Sequence, residues 1–141
     1  MDALEALSES AGAFDGIVCP IQDARAGQVY GAAFRNGERL IPDAPMKLEE
    51  YLETVSALGD RFPFTGDGAP VFCGMIREIL GERAQFAPAH RGYLRPSAAG
   101  SIALRDGKTT DYLHLEASYL RPPNAQKNKK LLEAMRKNAE A

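Results

Sequence analysis

The chain has 141 residues, a formal charge of −2 and an isoelectric point near 5.7. That length suits one domain with a core that needs neither disulfides nor metal, and the charge gives no overall pull towards nucleic acid or an anionic membrane. No apolar run approaches the roughly 20 residues of a spanning helix, and the two cysteines, Cys19 and Cys73, follow no pairing or metal-binding pattern, which places the chain in a reduced cytoplasm.

Taken in order, Asp2 to Ser10 carries Ala3, Leu4, Ala6 and Leu7 on one face and breaks at Gly12, so it reads as a short helix that either caps the core or frays. Ile17, Val18, Cys19 and Ile21 make a β-branched run that ends at Gln22 and Asp23, and Ala24 to Gly27 turn the chain. In Gln28 to Phe34, Tyr30, Ala32 and Phe34 share one face while Val29, Gly31 and Ala33 line the other, the period of two of a strand. Asn36-Gly37 signals a hairpin into a third antiparallel strand, Glu38 to Ile41, which Pro42 and Pro45 are expected to end.

Leu48, Tyr51, Leu52 and Val55 recur at helical spacing, with Glu49 and Glu50 in the first turn where the helix dipole favours them. Phe62 to Thr65 reads as an inner strand, against which Pro63 is an objection because it lacks a ladder donor. Gly66-Asp67-Gly68 follows, Pro70 opens a helix, and Val71, Phe72, Met75, Ile76, Ile79 and Leu80 are expected to form its buried stripe. Ala84 to Ala87 is a last strand, Pro96 starts a helix rich in small residues that Gly107 ends, and 111–121 suggests an extended strap. From Asn124 to Ala141, five Lys or Arg against two Glu give +3, leaving −5 for the rest; this tail is a basic helix or disordered. The order β-β-β-α-β-α-β-α is that of a ribonuclease H-like α/β lobe, a mixed five-stranded sheet with three main helices, and it places Tyr30 or Phe34 with Leu52, Phe72 and Ile76 in one core.

The strings DARAGQVYGAAF, TGDGAPVF and YLRPP, in that order and spacing, resemble the second half of the TsaB (YeaZ) family, over about four fifths of the chain. The family's first half begins with a strand like AIDTS and carries a loop like GPGSFTGLR, and neither string occurs here. The resemblance therefore implies a remnant helix over 1–13, a C-terminal lobe over 14–123 and a tail over 124–141, within the sugar kinase, Hsp70 and actin superfamily. It also implies a non-catalytic accessory subunit in forming threonylcarbamoyladenosine on tRNA, which supports a TsaD-like transferase beside a TsaE-like ATPase and needs no cofactor of its own. Contact with tRNA would be weak or indirect. Removal of the first lobe would uncover Leu4, Leu7, Ala98, Ala99 and Ile102, and a homodimer centred on Leu7 or Ile102 would bury them again; a helix folded back over the patch would do the same.

Candidate chemistry is sparse. Asp23 and Asp67 could face each other at the strand ends and hold a metal as ribonuclease H-like nucleases do, while Gly66, Asp67 and Gly68 could cradle a phosphate of a bound nucleotide. The structural alternatives are that Asp23 caps its own turn, that Asp67 caps the helix after it, and that the glycines serve backbone geometry. His90 and His114 have no neighbouring His or Cys, so the glycoprotease label given to TsaB-like sequences lacks its metal ligands, and no cysteine or serine sits in a nucleophile pattern.

Overall fold

The structure, a computed structural model, describes residues 2–116. Two compact units divide the chain, Met1–Thr109 and Thr110–Ala141. In the first, five strands form one mixed sheet in the order β3-β2-β1-β4-β5: β1 Cys19–Asp23, β2 Gln28–Arg35, β3 Glu38–Lys47, β4 Phe62–Thr65 and β5 Ala84–Phe86. The first three form an antiparallel meander with one another, and β4 runs parallel to both β1 and β5. The helices among the described residues are α1 Ala3–Ala11, α2 Leu48–Ser56, α3 Gly68–Val71, α4 Cys73–Leu80 and α5 Pro96–Asp106.

Local chemistry accounts for most of these boundaries. Asp2 accepts the Glu5 backbone N–H at 2.9 Å through its side chain and caps α1, and Gly107, left-handed at φ 59, closes α5. Asn36 (φ 52) and Gly37 (φ 81) form the two-residue hairpin that sets Arg35 opposite Glu38. The meander therefore follows the sequence reading, with one correction: β3 does not stop at Pro42 but continues through Pro45 to Lys47. It is the edge strand, so prolines without donors cost it no ladder bonds on the open side, and register shifts around Ala33 absorb the mismatch. Pro63 does lie in an inner strand. Pairing of β4 with β1 is registered only at Phe64 and Thr65, beyond the proline, while Pro63 faces Gln85 of β5.

The two faces of β2 bury against different layers. Val29 and Ala33 join Ile17, Ile21, Leu48, Tyr51, Leu52, Val55, Phe62, Phe64, Ile76 and Leu80 in the main cluster beneath α2 and α4. Tyr30, Ala32 and Phe34 face the other way, onto Leu4 and Leu7 of α1. Tyr30 and Phe34 thus do not share a core with Leu52 and Ile76 as expected; the pleat separates them. Gly31 sits under the Tyr51 ring, where an added Cβ would lie 2.7 Å from Cε2, and the Tyr51 hydroxyl donates to the Ala32 carbonyl at 2.6 Å.

The expected stripe of the α3–α4 segment splits. Ile76 and Leu80 are buried and Phe72 is half-buried, but Val71, Met75 and Ile79 are exposed, Val71 by 61%. Two adjacent i, i+4, i+8 rows are apolar, and the sheet has room for only one of them.

The patch expected to drive a homodimer is covered from within. Leu7 lies against β2, Ile102 is fully buried, and α1 packs on α5 with an Arg105–Glu5 ion pair at 2.8 Å. Arg39 adds ion pairs to Asp2 and, at 2.6 Å, to Asp43, tying the start of α1 to β3. The N-terminal helix therefore caps the core, and neither Leu7 nor Ile102 is available as the centre of an interface. In the second unit, Asp111 closes a turn, accepting the backbone N–H groups of Leu113 and His114 at 3.0 Å and lying 2.7 Å from His114 Nδ1. The YLRPP string and the tail over 124–141 lie outside the described residues.

Candidate functional site

The carboxyl ends of β1, β4 and β5 emerge on one edge of the parallel part of the sheet, the place where open α/β sheets leave a crevice. Asp23 terminates β1. One carboxylate oxygen accepts the Arg25 backbone N–H at 2.8 Å, and the other lies 3.9 Å from the Arg25 guanidinium. Arg25, Ala26 and Gly27 all adopt left-handed backbone (φ 68, 53 and 71). For the two residues with a Cβ this conformation is costly, and the Asp23 side chain helps to hold it. Its carboxylate is thus engaged in the turn.

Gly66 has φ 96, and a Cβ there would lie 2.2 Å from the Ile21 carbonyl oxygen; a Cβ at Gly68 would meet the same oxygen at 3.1 Å. Gly66 is required because the β4–α3 connection runs against the β1 backbone, and at Gly68 the same approach leaves a side chain little room. Asp67 between them is exposed and makes no capping bond to α3, so the expectation that it caps the next helix fails: its backbone is already helical (φ −68, ψ −22), not the extended form of a capping residue. No group of three or more His, Cys, Asp or Glu among the described residues is arranged to hold a metal ion. His90 is exposed in the turn Ala89–Arg91, and Cys19 is fully buried with its thiol donating to the Ile17 carbonyl at 3.3 Å. Burial pushes that thiol up to about 12, the Tyr51 hydroxyl opposing it weakly, so Cys19 is no nucleophile.

Beside Asp67 the structure opens a cavity of about 380 Å³ that sequence reading missed. Phe64 and Phe86, from the ends of β4 and β5, stack with centroids 5.9 Å apart and wall it on the sheet side. Cys73 and Arg77, one helical turn apart, face it from α4, and the Arg77 guanidinium lies 5.2 Å from the Phe86 ring centroid. Tyr93, in the segment after β5, stands at the mouth, 69% exposed. The i, i+4 spacing of Cys73 and Arg77 was legible; what brought Phe86 and Tyr93 to them was not.

The site and fold together define an α/β domain with a mixed five-stranded sheet, whose sequence-predicted glycines and Asp23 serve its backbone and whose open cavity lies at the strand ends. No family model matches the chain. Over 130 residues, 89% of the chain, it is 30% identical to the tRNA threonylcarbamoyladenosine biosynthesis protein TsaB of Bacillus subtilis. The match covers 56% of that protein, a C-terminal part, so the chain spans little more than half the length of its relative. The TsaB resemblance carried by DARAGQVYGAAF, TGDGAPVF and YLRPP is borne out for that part.

Proposed function

We propose that this chain provides the C-terminal lobe of an accessory subunit in threonylcarbamoyladenosine formation on tRNA, acting in the cytoplasm beside a TsaD-like transferase and a TsaE-like ATPase and carrying no transferase chemistry of its own. The similarity to TsaB over nearly the whole chain is the observation that carries this reading. The sheet order supports a ribonuclease H-like lobe of the sugar kinase, Hsp70 and actin superfamily: a three-stranded antiparallel meander whose first strand is continued by parallel β4 and β5. The accessory role is supported by the use of Asp23, Gly66 and Gly68, the residues a nuclease or phosphate-binding relative would employ, to hold the β1 turn and the close approach of two backbones. No helix among the described residues is long and apolar enough to cross a membrane.

The test is reconstitution. The chain, alone and joined to the N-terminal half of a TsaB, is added to a TsaD and TsaE mixture supplied with ATP, tRNA and an activated threonylcarbamoyl donor, and threonylcarbamoyladenosine in tRNA is measured by mass spectrometry. Expected are no product from the chain by itself and restored product from the joined protein; product from the chain without TsaD, or a joined protein that neither binds TsaD nor restores product, would refute the reading.

A further inference from the structure

On the α1 side of the sheet another cavity, of about 420 Å³, opens between the end of α1 and the start of α5, and two guanidinium groups line it, Arg91 and Arg95. Gly12 makes the room for the first: its backbone is left-handed at φ 84, and a Cβ there would lie 3.0 Å from Arg91 Nη1. Arg91 donates to the Ala11 carbonyl at 3.3 Å and Arg95 to the His90 carbonyl at 3.4 Å, which leaves most of the N–H donors of both uncommitted. Neither makes an ion pair with a described residue. Closing the C-terminal end of α1 accounts for the one bond of Arg91. It does not account for Arg95, or for the Ser97 and Ser101 side chains, one helical turn apart on α5, which line the same cavity with neither hydroxyl bonded to a described residue. The carboxylate of the cavity, Glu9, has its charge offset by the Arg105 guanidinium 3.9 Å away.

This set of donors narrows the ligand. Two guanidinium groups repel a cation, and a carboxylate is satisfied by one of them, whereas the oxygens of a phosphate can take both together with the hydroxyls. Arg95, Ser97 and Ser101 are exposed, so the mouth lies at the surface and admits a phosphate that carries a substituent on each side. We propose that this cavity binds a backbone phosphate of tRNA, with Arg91 and Arg95 on its anionic oxygens and Ser97 and Ser101 donating beside them. The proposal rests on the tRNA reading above and gives this lobe a direct contact with the nucleic acid. A single phosphate held in this way gives weak binding that falls with salt.

The test uses the full chain. Fluorescently labelled tRNA is titrated with it, and anisotropy is read at about 50 mM and about 200 mM salt. Expected is binding that weakens with salt, falls about tenfold in Arg95→Ala and is lost in Ser97→Asp. Ser97→Asp decides between a binding and a structural role, because a carboxylate in the first turn of α5 suits the helix and should keep or raise the urea midpoint, while in the cavity it repels a phosphate. Glu9→Gln should tighten binding, and Lys129→Ala with Lys130→Ala, in the basic tail, should leave most of it. The proposal is overturned if tRNA does not bind, if binding survives both Arg95→Ala and Ser97→Asp, or if the paired lysine variant abolishes it. Inorganic phosphate that raises the urea midpoint of the parent but not of Arg95→Ala, with no binding of tRNA, would make the free ion the ligand and overturn the assignment to RNA. The titration contains no TsaD and reads no product, so a failed contact leaves the reconstitution result standing, and the reverse holds as well.

Discussion

Gly31→Ala tests the packing at the centre of the domain. Gly31 has an ordinary strand conformation, so its backbone would accept alanine, and replacing glycine lowers the entropy of the unfolded chain by an amount worth about 0.4–1 kcal/mol. The folded state opposes this. The new Cβ would lie 2.7 Å, 2.9 Å and 3.1 Å from three atoms of the Tyr51 ring, which must withdraw by about 0.7 Å to reach the 3.4 Å of ordinary contact. Tyr51 is fully buried among Leu48, Leu52 and Val55, so overpacking costs about 1–3 kcal/mol. The same movement stretches the 2.6 Å bond from the Tyr51 hydroxyl to the Ala32 carbonyl, worth about 1 kcal/mol. The net loss is about 2 kcal/mol, a fall of about 1 M in the urea midpoint for an m-value near 2 kcal/mol/M. In a Tyr51→Leu background the ring is gone and Gly31→Ala should become neutral or slightly stabilising. Equal destabilisation in both backgrounds, read from urea titrations by circular dichroism, would refute the reasoning, as would no effect in the parent chain.

The split of the α3–α4 stripe predicts that Ile76→Ala costs about 2–5 kcal/mol, whereas Met75→Ala and Ile79→Ser each stay within about 0.5 kcal/mol; urea midpoints for the three variants check this. In the β1–β2 turn, Ala26→Gly should stabilise by about 1 kcal/mol because φ 53 suits glycine, and Asp23→Ala should destabilise by about 1 kcal/mol with Asp23→Asn near neutral, since an amide oxygen can still accept the Arg25 N–H. Stability should also fall in alkali. Burial holds the Cys19 thiol up to about 12, above its ordinary value of 9.0, so the folded chain binds more protons than the unfolded one in that window; the stabilisation is complete below about pH 9 and is lost as pH rises towards 12. Tyr51, also raised by burial, acts in the same direction from a higher starting value. Cys19→Val should flatten the decline in urea midpoint above pH 9, and an unchanged slope would contradict the assignment.

Where structure depends on neighbours along the chain, the residues alone determined it. Alternation in Gln28 to Phe34, the Asn36-Gly37 turn and the Gly107 stop all act within a few residues, and the structure places each of them as read. The engagement of Asp23 in its own turn belongs to the same class. What the tertiary structure decided was which of several locally permitted outcomes occurred. Pro42 and Pro45 end a strand with partners on both sides but not an edge strand, and edge position is a property of the sheet. The rows Phe72, Ile76, Leu80 and Val71, Met75, Ile79 are equally apolar, and only the surface beneath α4 selected the first. Leu7 and Ile102 looked like an open patch until α1 was seen laid on β2 and α5. The cavity draws Phe64, Cys73, Arg77, Phe86 and Tyr93 from separate elements, and no local period or spacing encodes such a meeting, because it arises from where the chain returns rather than from what any stretch of it prefers.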